Sequence, residues 1–291
     1  ITMTKTLDWF RTIKNLPSLP EQIDSVLVAT SSTSSMDYNI VEIIQYDPSM
    51  ALSVLKVANS PVYGCSDKIS SLQQAAGLLG PGAIKNIILR TPILERYLTN
   101  HQDNTQIGFS DLWMHCGMTA SLSGGLGRLI GDLESDVCFT GGLIHDAGVI
   151  ALSAYCPKEL AEAFEISHNE KICLLDAEKK VFGFNSSDVS MELMNVWNFP
   201  KSLSDLYWSD GKDNKSIWIS KLVAVVDLAK LLLKEWGYPD CSHMQEDIDK
   251  EKLLQFLKIT TGDLSNWEAE LRKYVVLAMR VLKGKGNLDI T

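Results

Sequence analysis

Gly141-Gly142-Leu143-Ile144-His145-Asp146-Ala147-Gly148 lies inside a run, Val137 to Ala154, that is apolar at almost every position. A segment with no polar stripe is the pattern of a helix enclosed on all sides, not of one lying on a surface. Such a helix needs other helices around it, so this stretch predicts an all-α fold with the run near its centre. His145 and Asp146 then pose a solvation problem. An imidazole and a carboxylate in a dry core cost free energy unless they are hydrogen-bonded, paired or bound to a metal ion.

The same anomaly recurs on both sides. His115 sits in Leu112-Trp-Met-His-Cys116 and Asp227 in Val223-Ala-Val-Val-Asp-Leu-Ala229, each within an otherwise buried helical pattern. Imidazole nitrogen and carboxylate oxygen suit zinc, manganese, iron or magnesium, and ligands scattered along a chain are usual where helices converge in a bundle. Taken singly, each residue has a plainer reading as a core group satisfied by a hydrogen bond. Taken together, His115, His145, Asp146 and Asp227 point to a site for one divalent ion. The alternative is a structural ion or a closed polar network, in which case Asp146→Ala should unfold the chain.

Outside these positions the pattern is helical nearly throughout. Apolar residues recur at three- and four-residue steps over Glu21–Val28, Ile40–Gln45, Met50–Ala58, Leu72–Leu79, Ala83–Leu98, Ala161–Phe164, Ile172–Phe182, Ser187–Trp197 and Ile217–Leu233, and a C-terminal pair spans Asp247–Thr260 and Leu264–Lys283. Breakers at Asp47-Pro48, Ser60-Pro61 with Gly64, and Gly80-Pro81-Gly82 mark helix ends or N1 prolines. Asn185 is placed to cap the helix that follows it. Ala120-Ser-Leu-Ser-Gly-Gly-Leu-Gly127 has small side chains that permit close helix approach. The polar stretch His101 to Phe109 divides the chain into residues 1–102 and 103–291.

Composition narrows the function classes. The 291 residues are 45% hydrophobic and 22% charged, as expected of an ordinary globular chain. A net charge of −9 without a Lys/Arg block repels phosphate backbones, so direct nucleic-acid binding is not expected. No unbroken apolar stretch of about 18 residues and no basic-then-apolar leader is read, which predicts a cytoplasmic protein not bound to a membrane. Six cysteines without a Cys-x-x-Cys pair read as reduced core thiols. No phosphate-binding Gly loop, Gly-x-Ser-x-Gly elbow or internal repeat is present. His101, His168 and His243 read as solvated surface residues, and Trp113 and Trp197 as packing.

Four ordered motifs precede the His-Asp run: Leu16-Pro-Ser-Leu-Pro20, Ile43-Ile-Gln-Tyr-Asp-Pro48, Leu55-Lys-Val-Ala-Asn-Ser-Pro-Val-Tyr-Gly64 and Ser71-Leu-Gln-Gln-Ala-Ala-Gly-Leu-Leu-Gly80. Followed by His115, the 145–146 dyad and Asp227, they resemble the bacterial HDOD proteins, output domains related to the HD phosphohydrolases, over roughly residues 15 to 235. The resemblance implies an N-terminal helical bundle packed on an HD-like helical bundle. It assigns His115, His145, Asp146 and Asp227 to the mononuclear ligand set. It also shows what is missing. Active relatives carry a Lys after the dyad where this chain has Ala147-Gly148-Val149, a second-metal His where Ser186 stands, and paired histidines near Leu206-Tyr-Trp-Ser-Asp210.

Phosphoester hydrolysis needs compensation of phosphoryl charge and an activated water, and those losses remove most of both. The expected function is therefore a non-catalytic output or adaptor module of bacterial signal transduction. Signalling proteins are its expected partners, with a nucleotide as the alternative ligand. No receiver or sensory module is read in the chain, so its input is expected from a separate protein or ligand. The competing expectation is a mononuclear metal-dependent phosphohydrolase or phosphodiesterase acting on a nucleotide.

Overall fold

The computed structural model describes residues 6–19, 23, 26, 40–63, 67–92, 109–207, 220–238 and 248–283. Among these residues the elements are helices, with no strand. In chain order they are α1 (Leu7–Phe10), α2 (Ile40–Ile44), α3 (Pro48–Ala58), α4 (Leu72–Ile88), α5 (Phe109–Ile130), α6 (Ser135–Ile144), α7 (Ala147–Tyr155), α8 (Pro157–Glu170), α9 (Leu174–Phe182), α10 (Ser186–Val196), α11 (Lys201–Ser204), α12 (Lys221–Glu235), α13 (Lys250–Leu257) and α14 (Thr261–Leu282). Two 3₁₀ turns, Pro61–Tyr63 and Asp205–Tyr207, complete them.

Local chemistry sets most of the helix starts. Asp47 caps α3 by accepting from the Met50 N–H, with Pro48 at the first helical position. Ser71 and Ser220 cap α4 and α12 in the same way, and Asn185 with Asp188, like Thr260 with Asp263, forms a reciprocal capping box. Gly80, at φ 71° and ψ 163°, kinks α4 ahead of Pro81, as the Gly80-Pro81-Gly82 breaker predicts. Of the helix expected over Ala83–Leu98, the described part ends at Ile88, and residues 93–98 lie outside the described residues. Leu89 and Arg90 turn the chain, and Pro92 disfavours helical backbone at Thr91 before it.

The apolar run is the main correction. It forms two helices, α6 and α7, separated at His145 and Asp146, where the sequence predicts one. Taken together, Ser135–Tyr155 is long and apolar enough to cross a membrane, but 83% of that window is buried inside the protein by neighbouring helices. α5 lies along α6, α12 and α14, while α7 packs on α10. The small-residue stretch of α5 works as expected: a Cβ on Gly127 would lie 2.6 Å from the Cys138 Sγ of α6, so a larger residue would push the two helices apart.

One hydrophobic core runs through residues on both sides of position 102, from Phe10, Leu52 and Ile84 to Trp113, Ile150 and Leu228. Residues 93–108, and with them the junction drawn in the sequence, lie outside the described residues. Polar contacts also cross between the halves. Asp47, fully buried, accepts from the Ser18 hydroxyl and from the Trp113 indole N–H at 3.2 Å. Thr140 of α6 accepts the Leu72 N–H at 3.1 Å, and the Tyr155 hydroxyl donates to the Asn15 carbonyl at 3.0 Å. Burial raises the Asp47 carboxyl above its ordinary range despite the donors around it.

Candidate metal centre

His115 comes from the second turn of α5, and His145 and Asp146 are the two residues between α6 and α7. They meet because Gly142, one turn before His145, has no side chain. A Cβ there would lie 2.7 Å from the Thr119 carbonyl oxygen and 2.9 Å from the Ala120 Cα of α5, so only glycine lets the helices approach this closely. His145 Nε2 is 3.1 Å from His115 Nε2 and 3.2 Å from Asp146 Oδ2, and His115 Nε2 is 3.7 Å from the same oxygen. All three residues are buried, with 2%, 8% and 6% of their surfaces exposed.

The protonation pattern follows from the partners. His145 Nδ1 lies 2.8 Å from the Gly142 carbonyl, which can only accept, so this nitrogen carries a proton and Nε2 is the ring atom that faces His115 and Asp146. Asp146 Oδ2 receives no well-aligned hydrogen bond although it is buried. Burial alone would raise the Asp146 carboxyl. The electrostatic pull of His145, its close contact, His115 and Lys230 outweigh that and hold the group well below the usual carboxylate range.

Three ligand atoms within 3.7 Å of one another, one of them an otherwise unsatisfied buried carboxylate oxygen, suit a cation better than an apolar core. The triad could hold a metal ion. Bonds of about 2.1 Å to a single ion put neighbouring tetrahedral ligands about 3.4 Å apart, and the three observed separations bracket that spacing. A carbonyl fixing the far nitrogen of a ligand imidazole is the usual outer support of such sites.

Asp227 is not part of this group among the described residues. It is half-buried on α12. One turn further along that helix is Lys230, whose charge acts on Asp146 and whose spacing from Asp227 puts the two on one helical face. Ser186 is buried at the start of α10, donating its N–H to Glu178 Oε2 at 2.7 Å, and lies outside the triad. No side chain at Ala147, Gly148 or Val149 supplies a cation, and all three are buried. Two further residues went unnoticed in the sequence. The Tyr207 hydroxyl donates to the Ile144 carbonyl at 2.5 Å, and Ser190 Oγ accepts the Gly148 N–H at 2.8 Å. Neither carries a local signal, because each touches the dyad only through the tertiary fold.

The remaining expectations fall out simply. Trp113 and Trp197 are buried and His168 is exposed, whereas His101, Trp208 and His243 lie outside the described residues. Tyr63 is 39% exposed, and Asn59 ends α3 and exchanges hydrogen bonds with the Ile69 backbone. Cys116, Cys138 and Cys156 are buried and Cys173 is half-buried; Cys65 and Cys241 lie outside the described residues.

Comparison with known proteins gives one family and one fold. Residues 16–209 match the HDOD domain. The structure of the MmoQ response regulator from Methylococcus capsulatus str. Bath is 19% identical, with a TM-score of 0.65 over 87% of this chain and 97% of that one. A virulence factor from Campylobacter jejuni subsp. jejuni is 18% identical, with a TM-score of 0.60 over 91% and 98%. An HDOD domain protein of unknown function from Geobacter sulfurreducens is 19% identical, with a TM-score of 0.53 over 94% and 96%. At these identities the likeness is one of fold. No curated protein matches the chain.

Proposed function

This chain belongs to the HDOD family, and on that premise we propose that it is a non-catalytic output or adaptor module of signal transduction, whose HD triad holds one divalent ion inside the bundle. The observation that carries the proposal is the enclosure of the triad. His115, His145 and Asp146 are all less than a tenth exposed, and the residues that follow the dyad offer buried apolar atoms where phosphoryl transfer would need a cation. A bound divalent ion would act there as a Lewis acid and lower the pKa of any water it held. This chain's own residues orient the ligands: Gly142 and its carbonyl set His145, and Lys230 stabilises the Asp146 carboxylate.

A response regulator and a virulence factor with the same fold support the regulatory reading, with signalling proteins as partners. The net charge of −9 supports a role that does not contact nucleic acid directly. A second reading, a mononuclear phosphohydrolase acting on a nucleotide, is favoured by one observation: His115, His145 and Asp146 present ligand atoms for one metal.

Elemental analysis separates the readings when paired with a phosphodiester and nucleotide panel assayed with manganese, iron and zinc. We expect about one metal per wild-type chain, none in His145→Ala or Asp146→Ala, and no turnover above those variants. Turnover present in the wild type and lost in both variants would transfer the assignment to the hydrolase. Absence of metal after incubation with all three ions would leave the triad a polar network and the adaptor reading without its ion.

A further inference from the structure

We infer that Tyr207 and Ser190 are positioning residues that hold open the break between α6 and α7, and through it bring His145 and Asp146 onto one ion. The inference rests on the reading of the triad as a metal site. Its starting point is geometric. In a regular helix successive residues project about 100° apart, so neighbours in sequence do not face a common point. A continuous helix from Ser135 to Tyr155 would therefore splay His145 and Asp146. Here their ligand atoms lie 3.2 Å apart, because Asp146 has φ −105° and ψ 27° instead of the helical ψ of about −42°.

Nothing in the local sequence demands that break, which carries no proline and no positive φ. The hydrogen bond that would cross the dyad in a continuous helix runs from the Gly148 N–H to the Ile144 carbonyl. Both of its partners are engaged elsewhere. The Gly148 N–H goes to Ser190 Oγ at 2.8 Å, and the Ile144 carbonyl takes the Tyr207 hydroxyl at 2.5 Å. The Ser190 hydroxyl donates in turn to the Ser186 carbonyl at 3.0 Å, which leaves an oxygen lone pair aimed at Gly148. Ser190 and Tyr207 are 2% and 3% exposed, so water does not readily replace either bond. The two hydroxyls come from α10 and from the 3₁₀ turn after α11, and together they substitute for the missing backbone bond.

The test uses the full chain with Tyr207→Phe, Ser190→Ala and the control Ser204→Ala, whose hydroxyl bonds the Pro200 carbonyl and touches neither partner of the break. Zinc and cobalt(II) affinities are measured by competition, together with thermal melts and, without metal, the imidazole nitrogen NMR signals of His145. Both positioning variants are expected to stay folded, with melting temperatures lowered by roughly 2–10 °C for one buried hydrogen bond lost, to bind metal roughly 10- to 100-fold more weakly, and to shift the His145 ring signals. Ser204→Ala is expected to match the wild type in all three measurements. Folded variants with wild-type affinity and unchanged ring signals would overturn the inference, and so would loss of folding in both, which marks a merely structural role. If Ser190→Ala alone does not fold, Tyr207→Phe decides. If the wild type binds no metal, the metal reading fails by itself, and the His145 signals in metal-free protein still decide whether the two hydroxyls set the dyad's geometry.

Discussion

Gly148→Ala is the most sensitive probe of how the dyad is held. A Cβ at this position would sit 1.8 Å from the Ser186 carbonyl oxygen and 2.7 Å from both the Ser186 carbonyl carbon and Ser190 Oγ. The first obstacle is backbone and cannot rotate away. Restoring an ordinary contact of 3.4 Å requires α10 to retreat by 3.4 − 1.8 = 1.6 Å. That movement breaks the 2.8 Å bond from the Gly148 N–H to Ser190 and strands a buried donor. Overpacking of this kind costs about 1–3 kcal/mol and the unsatisfied amide about 1–3 more, against about 1 kcal/mol gained from the better helix propensity of Ala.

The net expectation is a loss of about 3 kcal/mol, or a melting temperature lower by roughly 6–12 °C in a chain of this size. Urea unfolding followed by circular dichroism gives the number. Gly77→Ala is the control: Gly77 is exposed within α4 with nothing within 4 Å of its added Cβ, so it should be neutral or stabilising by up to about 1 kcal/mol. A Gly148→Ala protein within about 1 kcal/mol of wild type, or equal to the Gly77→Ala control, would refute the claim that α7 and α10 are in contact too close for any side chain.

Asp47 and the thiols give two further tests. Burial raises the Asp47 pKa above the unfolded value of about 3.9, so the unfolded chain ionises first as pH rises. Stability from this group is therefore complete below that value and is lost as pH climbs toward the folded pKa. Asp47→Asn should lack this loss and gain on the wild type across that window. A difference between the two urea midpoints that does not change with pH from 3.5 to 8 would contradict it. Burial pushes the Cys138 thiol up to about 12, so iodoacetamide at pH 8 should modify Cys173 in the native protein and reach Cys138 only on unfolding. Peptide mapping of native Cys138 as alkylated would show that α5 and α6 open.

Much of this protein is legible from its residues because the signals are local. The enclosed character of Val137–Ala154, the caps at Asp47 and Asn185 and the breaker at Gly80-Pro81-Gly82 depend on near neighbours in the chain, and each predicts the helix end or burial that is observed. His115, His145 and Asp146 stand out for the same reason, as polar groups in apolar contexts. The single helix predicted through the dyad fails because its apolar pattern is compatible with one helix or two. What divides it is a pair of hydroxyls 42 and 63 residues further along the chain. The all-α class, the central apolar segment and the buried groups in need of a partner are all read from local pattern. That His145 and Asp146 face the same point as His115 follows from the fold alone, because the direction of a side chain depends on hydrogen bonds and helix contacts made across it.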